Sequence, residues 1–207
     1  VRWYMRYALS YRDLEEMMEE RGLSLDHTTI YRWVQRYAPE LEKRCRPHLR
    51  PTNDSYRVDE TYVKIKGKWS YLYRAVDSTG QTIDFMLSAR RDKRAAKRFF
   101  RKMLKTAKRQ SPRIINVDKN QAYPPAIEEL KNEGVLAATS QLRQCKYLNN
   151  ILEQDHRFIK RRVHAGLGFS RFKTAHRTIK GYEAMNMIRK GQIEGVGKGD
   201  IRGQVRF

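Results

Sequence analysis

Near the start of the chain, apolar positions recur at intervals of three and four residues, which is the spacing of amphipathic helices. The apolar face of the first predicted helix consists of Leu14, Met17 and Met18. Ser10 precedes this helix and Asp13 stands three residues later, a loose form of the capping box that begins many helices. Gly22 is predicted to end the helix, because glycine readily adopts the left-handed backbone found past a helix terminus.

A second helix is predicted after Asp26, whose side chain can accept a hydrogen bond from a free N–H group of the first turn. Its buried side is predicted to contain Ile30, Val34 and Tyr37. Two helices joined by a glycine-containing turn indicate a helix-turn-helix within residues 1–38. The residues then predicted to contact DNA are His27, Thr28 and Thr29 at base edges and Arg32 and Arg36 at phosphates. The same pattern also fits a helical hairpin that binds no nucleic acid.

After a charged stretch with prolines at 39–56, which is interpreted as a linker, the pattern changes to alternating strands and helices. Strands are predicted at 57–65, 70–76, 81–89 and 113–117, with a weaker strand signal at 140–144. Helices are predicted at 93–107, at 124–133 and from about Tyr147 to Val163. The short connections between the first three strands predict an antiparallel meander. The whole succession predicts an α/β fold, with a mixed sheet covered by helices over 57–190 and a tail at 191–207.

One face of the predicted helix 93–107 is entirely cationic. It carries Arg94, Lys97, Arg98, Arg101, Lys102 and Lys105. Such a face is usually solvated surface, but six cations with no acid among them would also suit a phosphate backbone.

The 207 residues include 44 Lys and Arg against 23 Asp and Glu, a formal net charge of +21. Residues 1–38 contain six side chains of each sign, so the whole excess lies in residues 39–207. An excess of this size favours a polyanionic partner, and the larger C-terminal part is expected to provide the main surface for it.

The composition also excludes several classes of protein. No run approaches the roughly 18 consecutive apolar residues of a membrane-spanning helix. Cys45 and Cys145 are far apart and form no CxxC pair, which excludes a disulfide scaffold or a cysteine zinc ribbon within this chain and fits a reducing cytosol. The chain starts at Val1 inside an apolar and basic run, so we expect a helix to begin upstream of it.

Two carboxylates lie inside or directly after predicted strands, where burying a charge is unfavourable. Asp118 follows the short apolar strand 113–117, and Asp59 lies inside the first strand. An acid beside buried apolar residues requires something that neutralises it. Glu60 is expected to take no part in the same site, because neighbouring side chains of a strand point to opposite faces.

A third carboxylate, Glu153, lies on the last predicted helix. Lys160 follows after about two turns and shares its face, whereas Asp155 points about 200° away. If that face approaches the edge of the sheet, Glu153 can meet Asp59 and Asp118.

Three converging acids in a strongly cationic protein predict a site for two divalent ions, magnesium or manganese, that act on a phosphodiester. No pair of histidines or cysteines has the spacing of a rival transition-metal site. Each acid also has an ordinary alternative. Asp59 could pair with a neighbouring arginine, Asp118 could cap the following turn, and Glu153 could pair with Arg157 along its helix.

The motifs around these acids resemble those of bacterial insertion-sequence transposases. The matching blocks are Val58-Asp-Glu-Thr-Tyr62 with Gly67-Lys-Trp69 and Tyr71–Asp77, then Asn116-Val-Asp118-Lys, then Asn149-Asn-Ile-Leu-Glu153-Gln-Asp-His156 with Lys160. Asp118 and Glu153 are separated by 34 residues, the spacing of the IS6 transposase family. The segment from Leu167 to Gly181 matches as well, so the resemblance extends from Arg2 to about Gln192.

This resemblance implies an RNase H-like catalytic domain with a DDE triad, here Asp59, Asp118 and Glu153. It implies that Lys160 contacts DNA near the reacting phosphate, and the neighbouring Arg157 and Arg161 are predicted to hold phosphates too. The reaction it implies is cleavage at the ends of the element, followed by strand transfer that joins donor and target into a cointegrate.

The partners implied by the resemblance are double-stranded DNA, as terminal inverted repeats and as target, and further copies of the chain, since transposases pair two ends. The implied location is the bacterial cytoplasm, at the nucleoid. Two alternatives stay open. One is a non-catalytic helix-turn-helix regulator or inactive transposase remnant, and the other is an RNase H-like nuclease that cuts but does not join.

Overall fold

The computed structural model of the chain describes residues 1–107, 111–145 and 150–207. The predicted helix start near Tyr147 and the Asn149 of the third motif lie outside the described residues. The chain divides into two compact units. The helical unit consists of residues 1–50, 64–68 and 157–207, and the sheet unit consists of residues 51–63 and 69–156. In the described ranges, no helix is long and apolar enough to cross a membrane.

The helices and strands follow in the order expected for an α/β domain preceded by helices. The first elements are α1 (Arg2–Arg6), α2 (Tyr11–Glu19), α3 (His27–Cys45), a 3₁₀ turn (Arg46–His48), β1 (Ser55–Ile65), β2 (Lys68–Asp77) and β3 (Thr82–Ser88). The remaining elements are α4 (Lys93–Ala107), β4 (Ile114–Val117), α5 (Tyr123–Asn132), β5 (Gln141–Gln144), α6 (Asn150–Ala165), α7 (Phe172–Arg189) and α8 (Ile201–Arg206).

The five strands form one mixed sheet in the order β3-β2-β1-β4-β5. β2 and β3 are antiparallel, whereas β4 is parallel to β1 on one side and to β5 on the other. This is the RNase H-like strand order, so the predicted fold class is confirmed. β1 therefore lies at the centre of the sheet, where β4 supports only its first half, from Ser55 to Val58.

The core of the sheet unit lies between the sheet and the helices α4 and α5. Val58, Tyr73 and Phe99 are buried in this core. The apolar spacing that predicted helix 93–107 is the face that α4 presents to this core, with Phe100 and Met103 fully buried.

Half of the cations on the face of α4 are paired within the fold. Lys97 forms ion pairs with Glu129 of α5 and with Glu133, which follows α5, and Arg101 pairs with Glu133. Lys102 reaches the buried Asp84 of β3 at 2.7 Å. For these three cations the reading as a phosphate-binding surface is wrong, because acids distant in the sequence already neutralise them.

The beginnings of α2 and α3 agree with the sequence signals. Ser10 and Asp13 form a complete capping box at the start of α2. Asp26 accepts a hydrogen bond from the backbone N–H of Thr28, at 2.6 Å, at the start of α3. Ile30 and Val34 are buried as predicted.

Two predictions for this region are wrong. Tyr37 is 43% exposed rather than buried, because Ala38 faces the interior at this point of α3. The stretch predicted as a linker at 39–56 is helical through Cys45. Pro39 removes one backbone hydrogen bond, but Ala38 and Cys45 are fully buried on either side of it, so packing maintains the helix.

The two ends of the chain meet in the helical unit, where α3 packs along α7. Gln35 donates a hydrogen bond to Thr178 at 2.8 Å between these helices. Gly181 allows close approach, since a Cβ there would lie 2.7 Å from the Cβ of Ala38. The compact units thus depart from the predicted boundaries: the segment 157–190, expected in the catalytic domain, packs with the N-terminal helices.

Candidate active site

The register of β1 and β4 places two of the predicted acids side by side. Val58 pairs with Val117 in this parallel ladder, so the next residues along the two strands are Asp59 and Asp118. β4 ends at Val117, so Asp118 leaves the ladder beside Asp59, which lies in the middle of β1. The strand patterns that predicted an acid inside the first strand and another just past the fourth lead directly to this arrangement.

Glu60 joins the same cluster. Carboxylate oxygens of Asp59, Glu60 and Asp118 all lie within 4.8 Å of one another. The expectation that Glu60 could not share a site with Asp59 is therefore wrong. The two side chains do leave the strand on opposite faces, but the ladder with β4 ends at Val58, and beyond it a glutamate is long enough to reach the neighbouring carboxylates.

Three donors from outside β1 hold Glu60. Arg91, in the connection between β3 and α4, and the buried hydroxyl of Tyr123 both bond to the Glu60 carboxylate. The side-chain amide of Asn120 donates to it at 3.1 Å. Burial, and after it the charge of Glu60, raises the pKa of Tyr123 well above its usual value, so this hydroxyl keeps its proton. Sequence reasoning missed these residues, because only the fold brings them to Glu60.

Asp118 has the capping role considered for it and also lies near an arginine. Its Oδ1 accepts the backbone N–H of Asn120 at 3.0 Å, so it does cap the following turn. Its Oδ2 lies 3.6 Å from the Arg91 guanidinium, which also binds Glu60. The turn fixes the orientation of the Asp118 carboxylate at the sheet edge.

The environment of Asp59 makes it a weaker acid than an exposed aspartate. Burial, followed by the charges of Glu60 and Asp118, raises the pKa of Asp59 to about 7. The hydrogen bond from the backbone N–H of Glu60, at 2.8 Å, and the nearby Arg91 oppose this shift only in part. A cation placed among these carboxylates would offset the part of the shift that the charges of Glu60 and Asp118 cause.

Glu153 lies on α6 with an exposed side chain and does not belong to the cluster of Asp59, Glu60 and Asp118. The acid of α6 that is buried in the sheet unit is Asp155, which pairs with the fully buried Arg74 of β2 at 3.2 Å. Because residues two apart on a helix point about 200° apart, the burial of Asp155 leaves Glu153 on the open side. Its place in the triad stays a prediction.

The residues predicted to read DNA lie at the start of α3 and along its exposed side. Thr28, Arg32 and Arg36 are exposed, whereas His27 and Thr29 are half-buried. His27 Nδ1 lies 2.9 Å from a carboxylate oxygen of Glu15 on α2, so this ring already has a partner within the helical unit.

The cations predicted on α6 are all exposed: Arg157, Lys160 and Arg161. The next arginine has a different environment. Arg162 is buried, donates to the backbone carbonyls of Met5 and Phe158, and stabilises the helical unit.

A basic groove lies between α3 and α7 within the helical unit. Its lining residues are Tyr31, Arg32, Gln35, Arg36, Pro39, Lys173, Thr174 and Arg177. No acid of the described residues lines it. The groove joins the two arginines of the predicted recognition helix with Lys173 and Arg177 of α7, which sequence reasoning did not single out.

Comparison with known proteins identifies the family of the chain. A family model described as a DDE domain, of the IS240 transposase type, matches residues 53–192. The transposase for the insertion sequence-like element IS431mec of Staphylococcus aureus Mu50 is 40% identical over 194 residues, which is 92% of this chain and 82% of the relative. The transposase for IS257 in transposon Tn4003 of the same species has the same identity and coverage.

A likeness to solved structures is also found. The catalytic core domain of BIV integrase matches with a TM-score of 0.49 and 15% sequence identity, covering 74% of this chain and 96% of that one. The family match spans more than half of this chain, and the relatives extend it over most of the rest. The chain accordingly belongs to the DDE transposases of the IS6 family.

Proposed function

We propose that this chain cleaves DNA at the ends of an insertion sequence and joins the freed ends to target DNA, with Asp59, Asp118 and Glu153 as its catalytic residues. The observation that carries the proposal is the pair Asp59 and Asp118, which the parallel ladder of β1 and β4 holds at one sheet edge. The chain's membership of the DDE family and its acidic cluster support the use of a divalent metal.

The donor set fits two Mg²⁺ ions. Carboxylate oxygens are the ligands that Mg²⁺ prefers. Burial, and after it the charges of Glu60 and Asp118, raises the pKa of Asp59, and a cation would offset the contribution of those charges. Asp59 and Asp118 would hold the ions, with Glu153 supplied by α6. Bound there, the metal activates the attacking oxygen and stabilises the leaving oxygen of a phosphodiester.

Backbone and side-chain groups next to the proposed metal ligands orient them. The turn at Asn120 orients Asp118, and the backbone N–H of Glu60 orients Asp59. Glu60 is engaged by Arg91, Asn120 and Tyr123, so we assign it a positioning role in which it keeps Arg91 beside Asp118.

In the proposed reaction, water attacks a phosphodiester at the element end and releases a 3′-hydroxyl. That hydroxyl then attacks a phosphodiester of the target, and the target's own 3′-oxygen leaves. The enzyme forms no covalent bond to DNA in either step. The product proposed for this family is a cointegrate of donor and target.

DNA is proposed to bind through the exposed cations of the helical unit. The start of α3 would read base edges through His27, Thr28 and Thr29. Phosphates would be held by Arg32, Arg36, Arg157, Lys160 and Arg161, to which the groove adds Lys173 and Arg177. Joining two ends of one element requires two active sites, so at least two copies of the chain are proposed to assemble on DNA.

The decisive experiment is strand transfer with Mg²⁺ from a DNA end that already carries a free 3′-hydroxyl. We expect wild type to give joined product and Asp59→Asn, Asp118→Asn and Glu153→Gln to give none. Two matched controls keep the same chemical changes away from the site. Asp54→Asn removes an acid that pairs with Arg113, and Glu128→Gln removes an exposed acid of α5.

Each outcome decides between the proposal and its alternatives. Joining by all the variants alike would refute the proposed triad. Cleavage of intact ends without any joining would identify a nuclease. A DNA-binding regulator would retain end binding in every variant and show no metal-dependent product even for wild type.

A further inference from the structure

Three aromatic side chains form a cluster at the end of the sheet next to the acids. Tyr62 of β1 lies 5.4 Å from Tyr71 and 6.0 Å from Trp69 of β2, measured between ring centroids. Tyr62 is 45% exposed and Trp69 is 58% exposed. We call Tyr62, Trp69 and Tyr71 the aromatic platform.

The platform continues the face of the sheet that carries the core. Side chains alternate along a strand, so Glu60 and Tyr62 share the face of the core residue Val58, and Trp69 and Tyr71 share that of Tyr73. Tyr73 is fully buried, with its ring 5.6 Å from that of Phe99 on α4. Along β2, Tyr73 is fully buried, Tyr71 is partly buried and Trp69 is exposed.

Arg91 connects the platform to the acids. Its Nη1 donates to the hydroxyl of Tyr62 at 3.3 Å, and its Nη2 lies 3.6 Å from Asp118. Its Nε bonds to Glu60, and its guanidinium lies 6.0 Å from the centre of the Tyr62 ring. The exposed rings are thus separated from a proposed metal ligand by a single side chain.

We propose that the aromatic platform binds an unpaired nucleobase of the DNA strand that reacts at the neighbouring carboxylates. This inference rests on the proposed function. Every base has a flat π-face that stacks on Trp or Tyr, whereas a base inside a duplex exposes only its edges. Arg91 bonds to the Tyr62 hydroxyl and lies beside Asp118, so a base stacked on the platform would lie next to the proposed reacting position.

The experiment uses the full chain and a DNA duplex that has a three-nucleotide single-stranded extension with 2-aminopurine as its first unpaired base. Ca²⁺ replaces Mg²⁺ so that binding is measured without cleavage. We expect wild type to quench the 2-aminopurine on binding and Trp69→Ala to lose the quenching. Trp69→Ala should bind the extended duplex about tenfold more weakly and a blunt duplex equally well. Trp69→Phe retains a ring and should restore most of both signals.

The control for loss of any exposed ring is Phe207→Ala, at the other end of the chain, which should quench like wild type. The proposal is overturned if Trp69→Ala quenches normally or weakens blunt and extended duplexes alike. It is also overturned if Trp69→Ala changes only self-association in sedimentation, since the platform would then bind a second copy.

Failure of this inference can be told from failure of the proposed function. Mg²⁺-dependent joining by wild type, together with normal quenching by Trp69→Ala, would refute the platform and leave the transposase reaction intact. Quenching that depends on Trp69 but no joining by wild type would refute the reaction and leave base binding established.

Discussion

The two units of the molecule use their basic side chains differently. The helical unit contains 26 Lys and Arg against 11 Asp and Glu, a net charge of +15, and the sheet unit contains 18 against 12, a net charge of +6. Cations of the sheet unit that pair with acids are Arg74, Arg91, Lys93, Lys97, Arg101, Lys102 and Arg113. Exposed cations of the helical unit with no carboxylate within 4.0 Å among the described residues include Arg32, Arg36, Arg157, Lys160, Arg161, Lys173 and Arg177.

This difference shows which charges stabilise the fold and which stay available to a polyanion. A cation with an acid partner has already lost much of its attraction for phosphate. The face of α4 looks suited to DNA in the sequence, yet acids of α5 and β3 neutralise half of it. The groove between α3 and α7 gathers four cations from opposite ends of the sequence without one acid among its described lining.

The largest effect on stability is expected from breaking the buried pair of the sheet unit. Asp155→Asn removes the carboxylate that pairs with the fully buried Arg74 guanidinium. Removing one member of a buried ion pair typically costs about 3 kcal/mol or more of unfolding free energy. Urea unfolding followed by circular dichroism measures the loss.

Glu153→Gln is the matched control two positions away on the same helix. Its side chain is exposed, so the free energy of unfolding should change by less than about 0.5 kcal/mol. The same variant should nevertheless give no joined product. Equal destabilisation by both substitutions would contradict the division between a structural and a catalytic acid on α6.

The next effect concerns DNA affinity. The double variant Arg36→Gln/Arg177→Gln removes two unpaired cations of the groove, and we expect binding of a blunt duplex to weaken about 30-fold at moderate salt. The slope of log affinity against log salt should fall by about 2, since each phosphate contact contributes about 1. Fluorescence anisotropy across a salt series measures both quantities.

Lys97→Gln/Arg101→Gln makes the same change in net charge on the sheet unit, where both cations pair with acids. We expect its affinity to stay within about twofold of wild type and its salt slope to be unchanged. If the two double variants lose affinity equally, net charge alone determines binding and the contrast between the units fails.

Much of the local structure could be predicted from the sequence because its causes are local. The capping box at Ser10 and Asp13 and the apolar face of α4 involve residues within a few positions of one another. The unit boundaries could not be predicted in this way. The segment 157–207 joins the N-terminal helices through contacts such as Gln35 with Thr178, which no local pattern indicates.

The same distinction applies to the site. Asp59 and Asp118 could be found because one lies inside a predicted strand and the other follows a short apolar strand directly. The donors that hold Glu60 come from the connection before α4 and from the turn and helix after β4. Their approach depends on the register of β1 with β4, which sets how far each strand extends past its neighbour.

A smaller effect is expected from the pH dependence of stability without metal. The folded protein raises the pKa of Asp59 to about 7 from an ordinary value of 3.8, so folding disfavours its charged form. Stability should therefore fall as pH rises from about 4 to 7. We expect Asp59→Asn to remove about 2 kcal/mol of that fall, less than the roughly 4 that three pKa units represent, because water at the sheet edge screens the charge.

Thermal unfolding at pH 5 and pH 8, for wild type and Asp59→Asn, measures this difference. At pH 8, Mg²⁺ should raise the melting temperature of wild type and leave that of Asp59→Asn nearly unchanged, because bound metal stabilises only the folded form. A variant that retains both the full pH dependence and the metal effect would exclude Asp59 as their source.

The smallest effect tests how much a local capping interaction stabilises the helical unit. Ser10→Ala removes the side-chain oxygen that accepts the backbone N–H of Asp13 at 3.1 Å, and should cost about 1 kcal/mol. Ser24→Ala, in the exposed turn between α2 and α3, makes the same chemical change outside any cap and should be neutral within about 0.5 kcal/mol. Because the acids of the sheet unit are untouched, neither variant should alter the Mg²⁺-induced rise in melting temperature. A loss of that rise in Ser10→Ala would show that the cap of α2 also supports the metal site.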